Sequence, residues 1–259
     1  MTKSPLLALV IAAAASLVQL GCAVLPEDTE EPVDADEQAA IMGNGLTFNG
    51  LTFNGLTFNG LTFNALTFNG LTFNGPVMAA LSDPRGRQQL SAIVGCALPK
   101  GEAIRLNIDG VDHSFEGSIG LAPEWGKSGG ACGENCKSWV SACVISRVNH
   151  LGQSVQISVR GKDKALASTR EERAGYTARE GAYFGDIFAT PQKLHACVAP
   201  GASQIPRVCG PSIQGCSPID VLGECDDVCG HELDDGAFDK CRDRSGKMQK
   251  AAVTVFLAP

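Results

Sequence analysis

The motif with the clearest chemical potential is Cys225-x3-Cys229-x-His231, which combines two thiols with an imidazole. Thiolate sulfur and imidazole nitrogen are preferred zinc ligands, and Cys216 and Cys241 lie nearby in the sequence. In an oxidising compartment, however, such spacing is more typical of a cluster of disulfides. The motif therefore favours cross-links over a zinc site, and no cofactor is predicted.

The cysteine count points the same way. The chain has eleven cysteines, and Cys22 stands apart from the others at the end of an apolar N-terminal stretch. If Cys22 serves another purpose, the remaining ten can form five disulfides, although the sequence does not give their pairing. These ten are Cys96, Cys132, Cys136, Cys143, Cys197, Cys209, Cys216, Cys225, Cys229 and Cys241.

A second group of candidate ligands consists of aspartates, whose hard oxygens suit calcium. They are Asp226, Asp227, Asp234, Asp235 and Asp239. The EF-hand pattern fails, because anchoring it on Asp235-Gly236 puts His231, Leu233 and Arg242 where ligands belong. A solvated acidic loop is the favoured interpretation, and a calcium site is the alternative.

Carboxylates could also support glycoside hydrolysis, which uses two of them. The candidates are Glu124, Glu180 and Asp186. Glu124 precedes Trp125, and carbohydrate-binding surfaces use such pairs of a carboxylate and an aromatic ring. The favoured interpretation is structural: Trp125 is buried in the core, and Glu124 lies at the start of a helix. Glu180 lies in EGAYFG, which equally fits a packed turn. The sequence contains no G-x-S-x-G, H-E-x-x-H or P-loop motif.

The N-terminus carries export signals. Lys3 is followed by an apolar stretch that ends at the small residues Gly21 and Cys22. This pattern is typical of a signal peptide, here predicted at residues 1–21. An uncleaved membrane helix is the alternative. The segment Leu20-Gly21-Cys22-Ala23 resembles a bacterial lipoprotein cleavage box, which implies that Cys22 becomes the lipidated first residue. Ala23 would favour the outer membrane, and the predicted location is the outer membrane or cell surface.

Residues 22–44 are predicted to be a lipidated cysteine followed by an acidic, disordered tether. Seven carboxylates and no basic residue follow Cys22 in this segment, so self-repulsion extends it. These seven charges equal the formal net charge of −7 of the whole chain, which leaves the rest close to neutral. A nucleic-acid partner is not expected, because clustered Lys and Arg are absent.

Residues 45–75 repeat the unit LTFNG, with six LTFN copies beginning between Leu46 and Leu71. A strand would place Leu and Phe on one face, and Asn-Gly suits a turn after each unit. The tract loosely resembles pentapeptide repeats, which implies a short β-solenoid. Six units are too few to fold unaided, so the tract either continues a sheet of the next domain or forms a stalk. Repeat expansion in a tolerated linker is the other interpretation.

Residues 76–259 are long enough for one domain with its own core. Ser82-Asp83-Pro84 predicts a helix start, and apolar spacing predicts a helix over Cys136–Asn149. Asp109-Gly110 predicts a hairpin. Further strands are expected over Ser154–Val159 and Ala252–Leu257. The predicted fold is a disulfide-stapled α+β domain with a mostly antiparallel sheet and two or three helices, preceded by the solenoid-like repeat.

Several stretches resemble a family of uncharacterised, cysteine-rich secreted proteins and lipoproteins of large-genome soil bacteria. The similarity covers most of residues 90–259. The segments that carry it are IVGCALPKGE, GSIGLAPEWG, CKSWVSACVISRVNHLGQSVQISVRG, EGAYFGDIF, HACVAP and CSPIDVLGECDDVCGHELDDGAFDKCRD. The resemblance implies an exported domain of this extent and supplies no activity.

Two functions remain open from the sequence. The favoured hypothesis is a surface-anchored lipoprotein, held to the membrane by lipid, with a non-enzymatic role in binding a protein or polysaccharide or in envelope structure. The alternative is a secreted, glycosidase-like hydrolase that acts on envelope or extracellular polymers. Two of the candidate carboxylates within about 5–10 Å of each other in one pocket would favour the hydrolase.

Overall fold

The structure is a computed structural model that describes residues 41–43, 46–47, 75–127, 130–150, 154–189, 191–211, 216 and 218–259. The predicted signal peptide, Cys22, most of the acidic tether and almost all of the repeat lie outside these residues. In the described part, no helix has the length and hydrophobicity needed to cross a membrane.

Six helices and twelve strands occur in the described residues. The helices are α1 (Gly75–Leu81), α2 (Pro84–Ala97), α3 (Glu134–Ser146), α4 (Arg170–Gly175), α5 (Pro206–Cys209) and α6 (Cys225–Val228). The strands are β1 (Ile41–Gly43), β2 (Leu46–Thr47), β3 (Ala103–Ile108), β4 (Val111–Glu116), β5 (Val148–Asn149), β6 (Gln156–Arg160), β7 (Ala178–Asp186), β8 (Lys193–Val198), β9 (Asp220–Glu224), β10 (Cys241–Arg242), β11 (Met248–Gln249) and β12 (Ala252–Leu257). Two 3-10 helices span Pro123–Gly126 and Lys164–Leu166.

The two longest helices follow local signals in the sequence. The carboxylate of Asp83 accepts a hydrogen bond from the backbone N–H of Arg85 at 2.8 Å and caps α2 as predicted. α3 ends at Ser146, before the predicted end at Asn149, because the next residues form β5. The other four helices have four to seven residues, too few to show a periodic apolar pattern. The prediction of two or three helices therefore missed the short ones.

A six-stranded sheet forms the centre of the fold, in the order β1-β6-β12-β7-β8-β9. Every neighbouring pair is antiparallel except β8 and β9, which are parallel. β3 and β4 form the predicted separate hairpin, in which Asp109 and Gly110 both have positive φ, as a two-residue turn requires. The predicted α+β fold with mostly antiparallel sheets is confirmed.

Two short strands precede the main domain. β1 comes from the last part of the predicted tether and pairs with β6 at the edge of the sheet. β2 comes from the first LTFN unit and pairs in parallel with β5, with Leu46 opposite Val148. The other repeat units lie outside the described residues, so the solenoid-like arrangement stays a prediction.

The two faces of the sheet are covered differently, because side chains alternate along each strand. On one face, called the helix face, Tyr183, Ala196 and Val253 join the large core that includes α2 and α3. The other face is called the sulfur face. It carries a smaller cluster made of Ala182, Phe184, Cys197, Cys225, Val228, Phe238, Cys241 and Ala252.

All ten cysteines downstream of Cys22 form disulfides, as predicted. The pairs are Cys96–Cys143, Cys132–Cys136, Cys197–Cys225, Cys209–Cys216 and Cys229–Cys241. Cys96–Cys143 joins α2 to α3. Cys136 and Cys143, which share α3, bond to partners outside that helix, because seven residues of helix separate them by about 10.5 Å.

Candidate functional site

Glu180, one of the three catalytic candidates, is buried in an ion pair with Arg207. Both side chains are 4% exposed, and Nε of Arg207 donates to Oε1 of Glu180 at 2.9 Å. The hydroxyl of Tyr183 donates to Oε2 of Glu180 at 2.8 Å. Burial, together with the Glu180 carboxylate, raises the pKa of Tyr183 well above its ordinary value. This carboxylate is therefore fully engaged and shielded from water.

Arg207 also holds backbone carbonyls at the end of α3. Its Nη1 donates to the carbonyl oxygen of Val148 at 2.7 Å, and its Nη2 donates to that of Ser146 at 3.1 Å. The Glu180–Arg207 pair thus ties β7, α5 and the end of α3 together. We call this cluster, with Tyr183, the buried brace, and its contacts are those of a structural element.

Glu124 and Asp186 are bound to other partners. Glu124 is exposed and accepts a hydrogen bond from Nζ of Lys127 at 2.7 Å. Its neighbour Trp125 is 1% exposed and packs edge-on against Phe188, so it belongs to the core. Asp186 accepts a hydrogen bond from the backbone N–H of Phe188 at 2.8 Å at the end of β7.

The calcium candidates are dispersed. Asp235 accepts hydrogen bonds from the N–H of Ala237 and the hydroxyl of Ser168, and Asp226 lies 3.9 Å from a guanidinium nitrogen of Arg179. Among the described residues, the acidic side chains do not form a group of three whose oxygens converge as a metal site requires. A calcium site over Asp226–Asp239 therefore has no geometric support there.

A charged groove lies between the loop that follows β6 and the loop that precedes β10. Its first part is a cavity of about 340 Å³ lined by Asn135, Trp139, Lys162, Asp163, Asp239, Lys240 and Lys250. It adjoins a wider, shallower cavity of about 530 Å³, and both share Lys162 and Asp163. The second part is also lined by Gly161, Lys164, Ala167, Ser168, Arg173, His231, Leu233, Asp234 and Asp235.

The groove places cations beside carboxylates around an aromatic floor. Lys162, Lys240 and Lys250 border the first part, and Trp139 of α3, 6% exposed, lies at its base. Oδ1 of Asp239 is buried and has no hydrogen-bond partner. The other oxygen of Asp239 lies 3.6 Å from Nζ of Lys240. The lysine ammonium ions can bind anionic groups of a ligand, and the partly exposed carboxylate of Asp163 can accept hydrogen bonds from its hydroxyls.

Arg160 fixes one wall of the groove to the sheet. From β6, its Nη1 donates to the carbonyl oxygen of Asp235 at 2.8 Å, and its guanidinium lies 3.8 Å from the ring centre of Phe256. Beside it, Ser158 donates to the buried carboxylate of Glu172, whose pKa is raised by burial. The wall that carries His231 and Asp235 is therefore held by the domain's own core.

Gly161 allows the groove floor to form. A Cβ atom at this position would lie 2.9 Å from the carbonyl oxygen of Ala252 and 3.2 Å from Cζ3 of Trp139. A larger residue would push the strand or the indole ring away. The close approach of the chain to Trp139 thus depends on glycine here.

Most of the groove was not found by sequence reasoning. Its three lysines come from segments before β10, before β12 and after β6, which are far apart in the chain, and no motif links them. Arg207 also gave no signal, because only the fold brings it to Glu180. Asp234, Asp235 and Asp239 were singled out for calcium, and the structure places them along the groove.

Comparison with known proteins found no family model, no curated protein and no solved structure that matches the chain. The resemblances to a cysteine-rich secreted family and to pentapeptide repeats therefore stay predictions.

Proposed function

We propose that the protein is a surface-anchored lipoprotein whose disulfide-stapled domain binds an anionic polysaccharide of the envelope without cleaving it. The observation that supports this proposal is the charged groove. Its first part sets three ammonium groups, from Lys162, Lys240 and Lys250, around the floor formed by Trp139. Carboxylated or phosphorylated sugars supply the matching charge, and their hydroxyls supply donors for Asp163.

A binding role is favoured over hydrolysis by the state of the candidate carboxylates. Glu180 is engaged by Arg207 and Tyr183, and Glu124 is exposed beside Lys127. A glycosidase needs one protonated and one ionised carboxyl facing the same bond. None of these contacts resembles that arrangement.

The binding proposal is tested by calorimetric titration of the full-length protein with a polygalacturonate oligosaccharide. Replacing Lys162, Lys240 and Lys250 with alanine should weaken binding about tenfold, since each exposed ammonium near the ligand contributes about 0.5 kcal/mol and the three together about 1.4 kcal/mol. The control variant replaces Lys100, Lys193 and Lys247, which removes the same charge away from the groove. Neutral dextran of equal length should bind neither protein.

Equal weakening in the two variants, or no binding to polygalacturonate, would contradict the groove as the binding site. Release of new reducing ends from the oligosaccharide would contradict the non-enzymatic role.

The anchor is tested separately in cells. Cys22→Ser should move the protein from the membrane fraction to the soluble fraction, because the lipid chains would be lost. Cys22→Ala is a second variant of the same thiol. Retention of either variant in the membrane fraction would show that Cys22 does not carry the anchor.

A further inference from the structure

Two disulfides on the sulfur face lie in contact with each other. Sγ of Cys197 is 3.4 Å from Sγ of Cys229, although each is bonded to a different partner. The sulfurs of Cys197, Cys229 and Cys241 all lie within 4.8 Å of one another. No second group of this kind occurs in the described part of the chain, so the remaining disulfides lack a third sulfur at this distance.

The four cysteine residues of these two disulfides differ in their exposure to solvent. Cys197, Cys225 and Cys241 are fully buried, each 0% exposed. Cys229 is partly exposed, because it follows α6 at the rim of the cluster. A reductant from solvent therefore meets the Cys229–Cys241 bond first, and it meets that bond at Cys229.

The backbone holds the contacting sulfurs in place. Cys197 lies within β8, between β7 and β9 in the central sheet. The backbone of Cys229 forms an isolated antiparallel β-bridge with that of Cys241. Beside it, the N–H of Gly230 donates to the carbonyl oxygen of Lys240 at 2.8 Å. Because both sulfurs sit on fixed backbone, a thiolate formed at Cys229 would face Cys197 at a high effective concentration.

We propose that these two disulfides form a relay that passes reduction from the surface into the buried cluster by thiol–disulfide exchange. The co-reactant is a dithiol. One of its thiolates attacks Sγ of Cys229 and breaks the Cys229–Cys241 bond, releasing Cys241 as a thiolate that takes up a proton. The second thiol of the reductant then attacks the reductant sulfur in the mixed disulfide. This releases the Cys229 thiolate, and the reductant leaves in its disulfide form.

The second step is internal. The Cys229 thiolate attacks Sγ of Cys197, so a Cys197–Cys229 bond forms, the Cys197–Cys225 bond breaks, and Cys225 leaves as a thiolate that is then protonated. The two electrons from the dithiol end on the thiols of Cys225 and Cys241. One disulfide remains, which links β8 to Cys229 at the end of α6, and β10 loses its covalent link to Cys229.

The relay is tested on the full-length protein with limiting dithiothreitol, an acid quench, alkylation and peptide mass mapping. The expected product contains a Cys197–Cys229 bond and alkylated Cys225 and Cys241. Alkylation of Cys229 and Cys241 with Cys197–Cys225 intact would overturn the proposal, because it would show reduction without transfer.

A variant tests the internal step without a reductant. Cys241→Ser leaves Cys229 unpaired, and the relay predicts that the protein as purified carries Cys197–Cys229 and a free Cys225. The matched control is Cys132→Ser, which removes the Cys132–Cys136 disulfide and leaves the Cys136 thiol unpaired. No other sulfur of the described residues lies near this pair, so no rearrangement is expected. A free Cys229 beside an intact Cys197–Cys225 bond would overturn the proposal. Should Cys241→Ser fail to fold, the mapping of the wild-type protein still decides.

Discussion

The helix face and the sulfur face of the sheet are stabilised by different means. The helix face is covered by α3, a helix of 13 residues that packs on β7 and β12, and α2, of 14 residues, packs against α3 in the same core. The sulfur face is covered by α6, β10 and the loops around them, and these two elements have four and two residues. Three of the eight buried residues in its cluster are half-cystines.

The difference shows how a thin layer of chain can be made stable. Short elements and loops bury too little apolar area to offset the conformational entropy of ordering them. Disulfides lower that entropy cost by restricting the unfolded chain. The helix face also has a disulfide, Cys96–Cys143, but it joins helices that already pack on each other. Cross-links should therefore matter most where packing is least.

The largest expected effect is the removal of both sulfur-face disulfides by alanine at Cys197, Cys225, Cys229 and Cys241. These bonds close loops of 28 and 12 residues, and the chain-entropy relation gives a loss of about 6 kcal/mol. Hydrogen exchange should rise first in α6 and β10, and denaturant titration should give the loss of stability.

The matched control removes Cys132–Cys136, which closes a loop of four residues and should cost only about 2 kcal/mol. Equal losses in the two variants, or exchange that rises first in α3, would contradict the contrast between the faces.

The next effect concerns the buried brace, which serves the helix face. Glu180→Gln leaves the Arg207 guanidinium buried without its counter-ion, and breaking a buried pair in this way costs about 3–5 kcal/mol. Replacing both residues, with Glu180→Gln and Arg207→Met, should recover part of the loss because no buried charge is left unpaired. Urea titration measures both. A double variant less stable than Glu180→Gln would contradict this account.

A smaller effect is expected at the start of α2. Asp83→Ala removes the cap on the N–H of Arg85 and should cost about 1 kcal/mol. In a domain of this size that corresponds to a decrease in Tm of about 2–4 °C. Ser82→Ala, one residue earlier, is the control and should leave the Tm unchanged. A similar decrease in both variants would show that the cap contributes nothing.

The smallest effect is a pH dependence on the sulfur-face side of β8. His195 faces Phe184, and burial lowers its pKa below 6.5 despite Asp220 at 4.0 Å. The folded chain thus binds fewer protons than the unfolded chain below pH 6.5, so the free energy of unfolding decreases as the pH falls through this range. His195→Gln should flatten this slope, measured by denaturant titration from pH 7.5 to 5. An unchanged slope in His195→Gln would assign the dependence to other groups.

Local features of the fold could be predicted because their causes lie within a few residues. Asp83-Pro84 marks the start of α2, Asp109-Gly110 turns the hairpin, and alternating apolar residues mark β6. β12 matches the predicted terminal strand, whose sequence AVTVFL is almost entirely apolar. The even number of cysteines downstream of Cys22 was enough to predict that they form disulfides, although not which cysteines pair. These signals need no knowledge of which segments meet.

Non-local features could not be predicted. The position of β12 between β6 and β7, the pairing of Cys96 with Cys143, and the contact between Cys197 and Cys229 depend on the whole topology. The buried role of Glu180 required Arg207, 27 residues away. The groove likewise depends on loops whose charges mean little until the sheet brings them together.

The central place of β12 has a consequence for how the domain is made. β6 and β7 are joined in the sheet only through β12, so these earlier strands stay without their shared neighbour until residues 252–257 are available. Contacts of such long sequence separation form slowly. A nascent chain that still lacks this segment therefore has no strand to join β6 to β7, and the central sheet can close only when the last strand of the domain is in place.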